Sequence, residues 1–215
     1  ALLLIEKGAD VNAVDGVGLT PLHWAMQSGI KALFGAPASA TDRFWNHPSM
    51  PAVAKALLAK GADPNARIRH NFMPYDVPLF SHNIGNNLPH IGLQGATPFI
   101  LASAAADVSM MRVLVESRAN PKLATTDGTT PLMVAAGLAR ERVSKNVGMS
   151  PEDEKASLEA AKMAIQLGAD VNQANANGRT ALHGAVEMGA NSIIEYLVQQ
   201  GANLEAKDKY GQTAL

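Results

Sequence analysis

Hydrophobic and polar positions along the chain recur in blocks that share one layout. Each complete block begins with a threonine, has a large apolar residue two positions later and an alanine three positions beyond that. Threonine is a favourable N-cap, and the proline that follows it in three blocks suits the first turn, where no amide donor is needed. We therefore predict a short helix in each block whose apolar side contacts the neighbouring block. The blocks begin at Thr20, Thr97, Thr130, Thr180 and Thr213.

A second apolar segment in each block predicts a second helix. These segments are residues 53–60, 110–117, 158–167 and 192–200. Three of them end at Gly61, Gly168 and Gly201, where a left-handed C-cap needs a residue without Cβ. Arg118 replaces that glycine in the remaining block, so we expect a strained or differently closed cap there. Ala-Asp or Ala-Asn pairs then begin turns that contain glycine, which predicts a hairpin finger.

The separation of the threonines identifies a repeat. Two of the four separations are 33 residues, and the other two, 77 and 50, exceed 33 by 44 and 17. A unit of 33 residues that opens with Thr-Pro-Leu-His resembles the ankyrin repeat family. The long units are similar to those of bacterial ankyrin repeat proteins with insertions within repeats. The resemblance implies an all-α fold, an α-solenoid of stacked helix-turn-helix repeats with β-hairpin fingers and three long insertions.

The excess residues fall into three segments. Two insertions follow Thr20, at about residues 31–50 and 67–92, and the third follows Thr130, at about residues 139–155. Such long loops usually carry function or are disordered. Residues 1–215 are expected to form a single ankyrin repeat domain within a longer chain, because both ends would leave apolar faces open. Its predicted units are residues 1–13 (partial), 14–66, 67–124, 125–174, 175–207 and 208–215 (partial).

Composition narrows the range of partners. The net charge of −1 and a pI near 6.7 give no general field that favours nucleic acid or an anionic membrane. The absence of cysteine excludes disulfides and thiolate metal sites. No apolar run is long enough to span a bilayer. We therefore predict no cofactor, no nucleic-acid binding and no membrane insertion.

Histidines and acids in the insertions leave an enzymatic alternative open. His23 and His183 occupy the motif position, where the resemblance implies a structural hydrogen bond between adjacent turns. The other histidines match no metal-binding spacing, and no nucleophile motif is present, so we assign no catalytic residue. The alternative is a hydrolase, such as a glycoside hydrolase, or a metal-dependent enzyme whose residues converge beneath the inserted loops. Its candidates are Asp42, His47, His70, Asp76, His82 and His90.

A recognition surface is the stronger functional signal. The resemblance implies that the residue after each motif histidine and the fingertip residues line a concave groove, with Trp24 as an aromatic anchor. We predict a non-catalytic module that binds a protein or peptide there. The alternatives are that the inserted finger, residues 67–92, covers this groove, or that the array is a scaffold between flanking domains. The predicted contacts are Val17, Leu19, Trp24, Leu93, Gln94, Leu101, Thr126, Asp127, Val134, Asn177, Arg179, Lys209 and Tyr210.

Overall fold

Short α-helices make up the secondary structure of the described part of the chain, apart from one isolated β-bridge between Lys207 and Thr213. The computed structural model describes residues 1–16, 18–26, 29–30, 32, 50–70, 92–138 and 149–214. Most of each predicted insertion, together with Val17, lies outside these residues. The helices are α1 (Leu2–Glu6), α2 (Pro21–Ala25), α3 (Pro51–Ala59), α4 (Pro98–Ala104), α5 (Val108–Glu116), α6 (Pro131–Ala135), α7 (Pro151–Gln166), α8 (Ala181–Met188) and α9 (Asn191–Gln199).

The first helix of each unit begins at the threonine that the pattern indicates. The Thr20 hydroxyl accepts a hydrogen bond from the His23 amide at 3.4 Å, and the Thr130 hydroxyl accepts one from the Met133 amide at 3.2 Å. Proline occupies the first helical position after each of these caps. The cap and the proline together explain why α2 and α6 begin where they do.

Helix α7 is longer than the other second helices. It spans 16 residues, whereas α5 and α9 each span 9. The Ser150 hydroxyl accepts a hydrogen bond from the Asp153 amide at 3.1 Å, and three acidic residues in the first turn suit the positive end of the helix. The Ser-Pro-Glu-Asp sequence at residues 150–153 therefore begins this lengthened helix, which starts well before the apolar segment at residues 158–167.

The helices stack in two layers. First helices α2, α4, α6 and α8 contact one another in chain order, and each packs on the second helix of its own unit. Helices α5, α7 and α9 contact one another in the second layer, and α1 contacts α3. Each first helix buries the large apolar residue and the alanine that define its block, so the core is continuous along the array. These core residues are Leu22, Ala25, Phe99, Ala102, Leu132, Ala135, Leu182 and Ala185.

Small residues allow this close stacking. A Cβ added to Gly184 in α8 would lie 2.4 Å from the Leu138 amide nitrogen, so a side chain at residue 184 would force the two units apart. The cap at Arg118 has a different constraint, because its φ of 68° is in the left-handed region. The strained cap expected at Arg118 is confirmed, and its cost is about 1 kcal/mol.

The fingers differ from the hairpins that the sequence predicts. Four fingertips close with a main-chain bond between residues four apart, as between the Asp15 amide and the Leu19 carbonyl (3.1 Å) or the Asp208 amide and the Gln212 carbonyl (2.8 Å), whereas in the second finger the Ile68 amide donates to the Ala96 carbonyl (3.0 Å). Beyond the bridge at Lys207, the described residues form turns here rather than paired strands. No helix in the described part of the chain has the length and hydropathy that crossing a membrane requires.

Candidate functional site

The fingertips of successive units are joined by main-chain hydrogen bonds. The Thr126 amide donates to the Gln94 carbonyl at 2.8 Å, and the Lys209 amide donates to the Asn177 carbonyl at 2.8 Å. Between them, the Ala176 amide donates to the Asp127 carbonyl at 2.7 Å. These bonds fix the spacing of four consecutive fingertips. We call the residues that make them the fingertip row: Gln94, Thr126, Asp127, Ala176, Asn177 and Lys209.

Acidic side chains at the fingertips accept hydrogen bonds from main-chain amides. Asp127 accepts hydrogen bonds from the amides of Thr129 at 3.2 Å and Gly92 at 3.0 Å. Asp208 accepts from the amides of Gln212 at 2.9 Å and Tyr210 at 2.8 Å. The bond from the Gln212 amide is the main reason that the pKa of the Asp208 carboxyl is lowered. Both carboxylates therefore hold the turn geometry.

Basic and aromatic side chains extend from the same fingers. The Lys209 ammonium lies 5.1 Å from the centroid of the Tyr210 ring and donates to the Asn177 side-chain oxygen at 2.8 Å. Tyr210 is 75% exposed. Arg179 forms an ion pair with Glu187 of α8. The last two fingertips thus present cationic and phenolic groups at the surface.

Trp24 is held in place at the other end of the array. Its indole nitrogen donates to an Asp15 carboxylate oxygen at 3.1 Å, and the other oxygen of Asp15 accepts from the Leu19 amide at 2.9 Å. The ring is half-buried and packs against the core.

Family comparisons match both halves of the chain. The model for ankyrin repeats in three copies matches residues 153–215, and the model for a single ankyrin repeat matches residues 17–69. The chain belongs to the ankyrin repeat family. An ankyrin repeat protein of Acanthamoeba polyphaga mimivirus is 36% identical over 93 residues, which are 43% of this chain and 11% of that protein.

Two further relatives are similar to this chain over only part of their own length. Alpha-latroinsectotoxin-Lt1a of Latrodectus tredecimguttatus is 31% identical over 115 residues, 54% of this chain and 7% of the toxin. Ankyrin repeat protein OPG189 of Variola virus is 21% identical over 237 residues, 99% of this chain and 40% of that protein. The chain thus spans well under two thirds of the length of each relative. None of the three is bacterial, so they give no support to the expected likeness to bacterial members.

Four apolar residues predicted to line the ankyrin groove are buried instead. Leu101 and Val134 are 0% exposed, and Leu19 and Leu93 are each 2% exposed. Leu101 lies in α4, which contacts the first helices α2 and α6 on either side. A Cβ added to Gly29 would lie 2.0 Å from the Leu101 carbonyl oxygen, so the chain at residue 29 also approaches the main chain of α4 closely. These four predictions need correction, since side chains inside the core cannot contact a partner in this conformation. The described candidates that remain are Trp24, Gln94, Thr126, Asp127, Asn177, Arg179, Lys209 and Tyr210.

The motif histidines are built into the ankyrin core. The Thr20 amide donates to Nδ1 of His23 at 3.1 Å, and Nε2 of His23 lies 3.4 Å from the Ala96 carbonyl. Burial lowers the pKa of His23 to about 4. The Thr180 amide likewise donates to Nδ1 of His183 at 3.2 Å. In both imidazoles Nδ1 is therefore an acceptor at the start of its own helix.

The described residues do not form an arrangement that would support the enzymatic alternative. His70 is exposed, and in this part of the chain no three histidine or acidic residues converge as a metal site would need. The remaining candidates, Asp42, His47, Asp76, His82 and His90, lie outside the described residues. The same holds for residues 71–91, which make up most of the finger predicted to cover the groove.

Sequence reasoning did not single out two acidic residues near the last fingertips, Glu187 and Asp208. They border a cavity of about 460 Å³ together with Arg179, His183, Lys209 and Tyr210. Glu187 lies one helical turn after His183 in α8. This spacing in the sequence indicates that the two side chains lie on the same side of the helix. We call these six residues the end groove.

Proposed function

We propose that this ankyrin repeat chain binds a protein or peptide partner through the fingertip row and the adjoining surface of the first helices. Ankyrin repeats are typical protein-interaction modules. The observation that carries the proposal is the set of main-chain bonds that joins successive fingertips into one row. A surface fixed in this way loses little conformational entropy when it binds.

The side chains beside the row supply the contacts. Tyr210 provides an exposed aromatic ring, and aromatic and arginine residues commonly dominate binding energy at interfaces. Lys209 and Arg179 add cationic groups, which favour a partner of complementary charge. Trp24, half-buried at the far end of the array, provides a second aromatic contact.

The test is a measured affinity for a partner that is captured with the wild-type chain and then purified. Lys209→Glu and Tyr210→Ala should each weaken that affinity at least tenfold, about 1.4 kcal/mol, because both side chains stand exposed beside the row. Leu101→Ala is unsuitable as a test of partner binding, because Leu101 is a core residue.

Lys55→Glu is the matched control, because Lys55 is also an exposed lysine but lies on the second helix α3. It should leave the affinity unchanged. Equal losses in Lys55→Glu and Lys209→Glu would show that overall charge, rather than the fingertip row, governs binding, and would contradict the proposal. A chain that captures no partner at all would favour the scaffold alternative.

A further inference from the structure

One position in every fingertip is occupied by glycine. Glycine lies two positions before each block-start threonine, at residues 18, 95, 128, 178 and 211, and its φ there is between 75° and 88°. Space is also limited at Gly178, because an added Cβ would lie 2.9 Å from the Cα atom of Asp208. The left-handed backbone and this close approach together require glycine at residue 178.

The residue before this glycine differs from finger to finger, and at Asn177 it is an asparagine. No other asparagine in the sequence precedes a glycine. In an Asn-Gly pair the main-chain nitrogen of the glycine can attack the side-chain carbonyl carbon of the asparagine, because the glycine has no Cβ to hinder the approach. The fold therefore requires, directly after Asn177, the residue that most favours this attack.

We propose that Asn177 is a site of spontaneous deamidation, and that the closed fingertip restrains the reaction. The Gly178 nitrogen forms a bond to Cγ of Asn177, the bond between Cγ and Nδ2 breaks, and ammonia leaves with the proton that the Gly178 nitrogen loses. Water then opens the cyclic imide, which leaves aspartate or isoaspartate at residue 177. The two steps consume water and release ammonia, and nothing is oxidised or reduced.

Hydrogen bonds of the closed fingertip hold both reacting groups. The Gly178 amide donates to the Asn175 carbonyl at 2.8 Å, and the Asn177 side-chain oxygen accepts from the Lys209 ammonium at 2.8 Å. The Asn177 carbonyl also accepts from the Lys209 amide in the fingertip row. Attack requires the Gly178 nitrogen without its proton and a reoriented Asn177 side chain, so the reaction proceeds when the fingertip opens.

The preceding finger shows that a carboxylate fits at this position. Asp127 lies three positions before its block-start threonine, as Asn177 does, and its carboxylate accepts from the Thr129 amide at 3.2 Å. An aspartate at residue 177 keeps the turn and adds a negative charge beside Lys209, whereas isoaspartate lengthens the main chain within the fingertip row. The consequence for partner binding rests on the proposed function, but the modification itself does not.

The experiment is peptide mapping by mass spectrometry after incubation of the whole chain at mildly alkaline pH, with and without urea. Deamidation replaces an amide by a carboxylic acid, so the peptide that contains residue 177 gains mass, and fragmentation locates the change. The native chain should be modified at Asn177 at least about tenfold more slowly than the chain in urea. Asn175 is the matched control, because it lies in the same finger but precedes alanine, and it should keep its amide.

Two variants complete the test. Asn177→Gln retains an amide on a longer side chain and should show no mass gain at residue 177 during the same incubation. Asn177→Asp reproduces one product and should have the melting temperature of the wild type, because Asp127 is accommodated at the same position of its own finger.

Four results would overturn the inference. The Asn177 amide could survive incubation in urea, the native chain could react as fast as the chain in urea, or Asn175 could be modified as fast as Asn177. A lower melting temperature in Asn177→Asp would show that the carboxylate does not fit. None of these measurements involves a partner, so each failure would leave the proposed function unaffected.

Discussion

His23 shows at the scale of single residues how a repeat motif couples folding to pH. The side chain is fully buried, and its two ring nitrogens bond the start of its own helix and the chain of the next unit. Protonation would place a charge in the core and remove the acceptor at Nδ1. The neutral imidazole is therefore a condition of the packed state.

The unfolding free energy should fall in acid because of this group. The pKa of His23 is about 4 in the folded chain against 6.5 when exposed, so the unfolded state takes up the proton first as pH falls. The contribution is intact above pH 6.5, is lost progressively between pH 6.5 and about 4, and totals about 3 kcal/mol. Urea unfolding of wild type and His23→Gln across this range measures it. A stability difference between the two that is independent of pH would contradict the assignment.

At the scale of the structural element, asparagine side chains at the base of the fingers join neighbouring units. The Asn65 side chain donates to the Arg118 carbonyl at 3.2 Å and accepts from the Asn120 amide at 2.7 Å. Asn12 and Asn172 make the same pair of bonds to the units that follow them. Lys122 occupies this position in the remaining complete unit, so no asparagine bonds the Asp170 amide.

Replacing Lys122 by asparagine should add the pair of hydrogen bonds between units that the other three asparagines make. Lys122→Asn should raise the unfolding free energy by about 1 kcal/mol and slow hydrogen exchange at the Asp170 amide, because two hydrogen bonds are added between units. The reverse change, Asn172→Lys, removes the same two bonds and should destabilise by a similar amount. Identical Asp170 exchange in wild type and Lys122→Asn would count against this explanation.

The lengthened helix α7 contributes to the unit that follows it. Oε1 of Glu154 accepts from the amide and the hydroxyl of Ser192, both at 2.7 Å, at the start of α9. Ala190, the N-cap of α9, makes no side-chain capping bond, so Glu154 supplies the cap from another helix. The extra N-terminal residues of α7 thus stabilise the next second helix.

Glu154→Ala should lower the unfolding free energy by about 1 kcal/mol, the usual value of an N-cap, with faster amide exchange at Ser192. Glu152→Ala is the matched control, because Glu152 is an exposed acid in the same turn of α7. Urea denaturation followed by circular dichroism measures both variants. Similar losses in the two would mean that charge near the α7 N-terminus, not the bond to Ser192, is responsible.

In these elements, features set by local sequence can be predicted, whereas contacts between distant residues cannot. Threonine caps and the strained cap at Arg118 follow from local chemistry and are readable from spacing. Burial of Leu101 is not, because it depends on how the neighbouring first helices pack against α4. The bond between Glu154 and Ser192 joins residues 38 apart in different units, and no local pattern encodes it.

The described units form a linear array at the scale of the whole molecule, in which helices contact mainly their own unit and its neighbours. Stability is then shared between unit interfaces, and a charge placed in one interface affects the units on both sides. Ala102 in α4 is such a position, since it is buried where α4 meets its neighbours.

Ala102→Glu should unfold the array cooperatively, at a cost of more than about 3 kcal/mol, because the carboxylate would be buried without a partner. Ser109→Glu is the control, because Ser109 is exposed on α5 and faces no neighbouring unit's core. Thermal unfolding followed by circular dichroism gives the comparison. An unchanged melting temperature in Ala102→Glu would show that the two layers do not meet there.

Hydrogen–deuterium exchange of the chain with and without its captured partner tests the central claim most directly. Binding through the fingertip row predicts slower exchange at residues 124–129, 174–179 and 206–212, with the second helices α3, α5 and α9 unchanged. Protection confined to those second helices, with no change at the fingertips, would contradict the account.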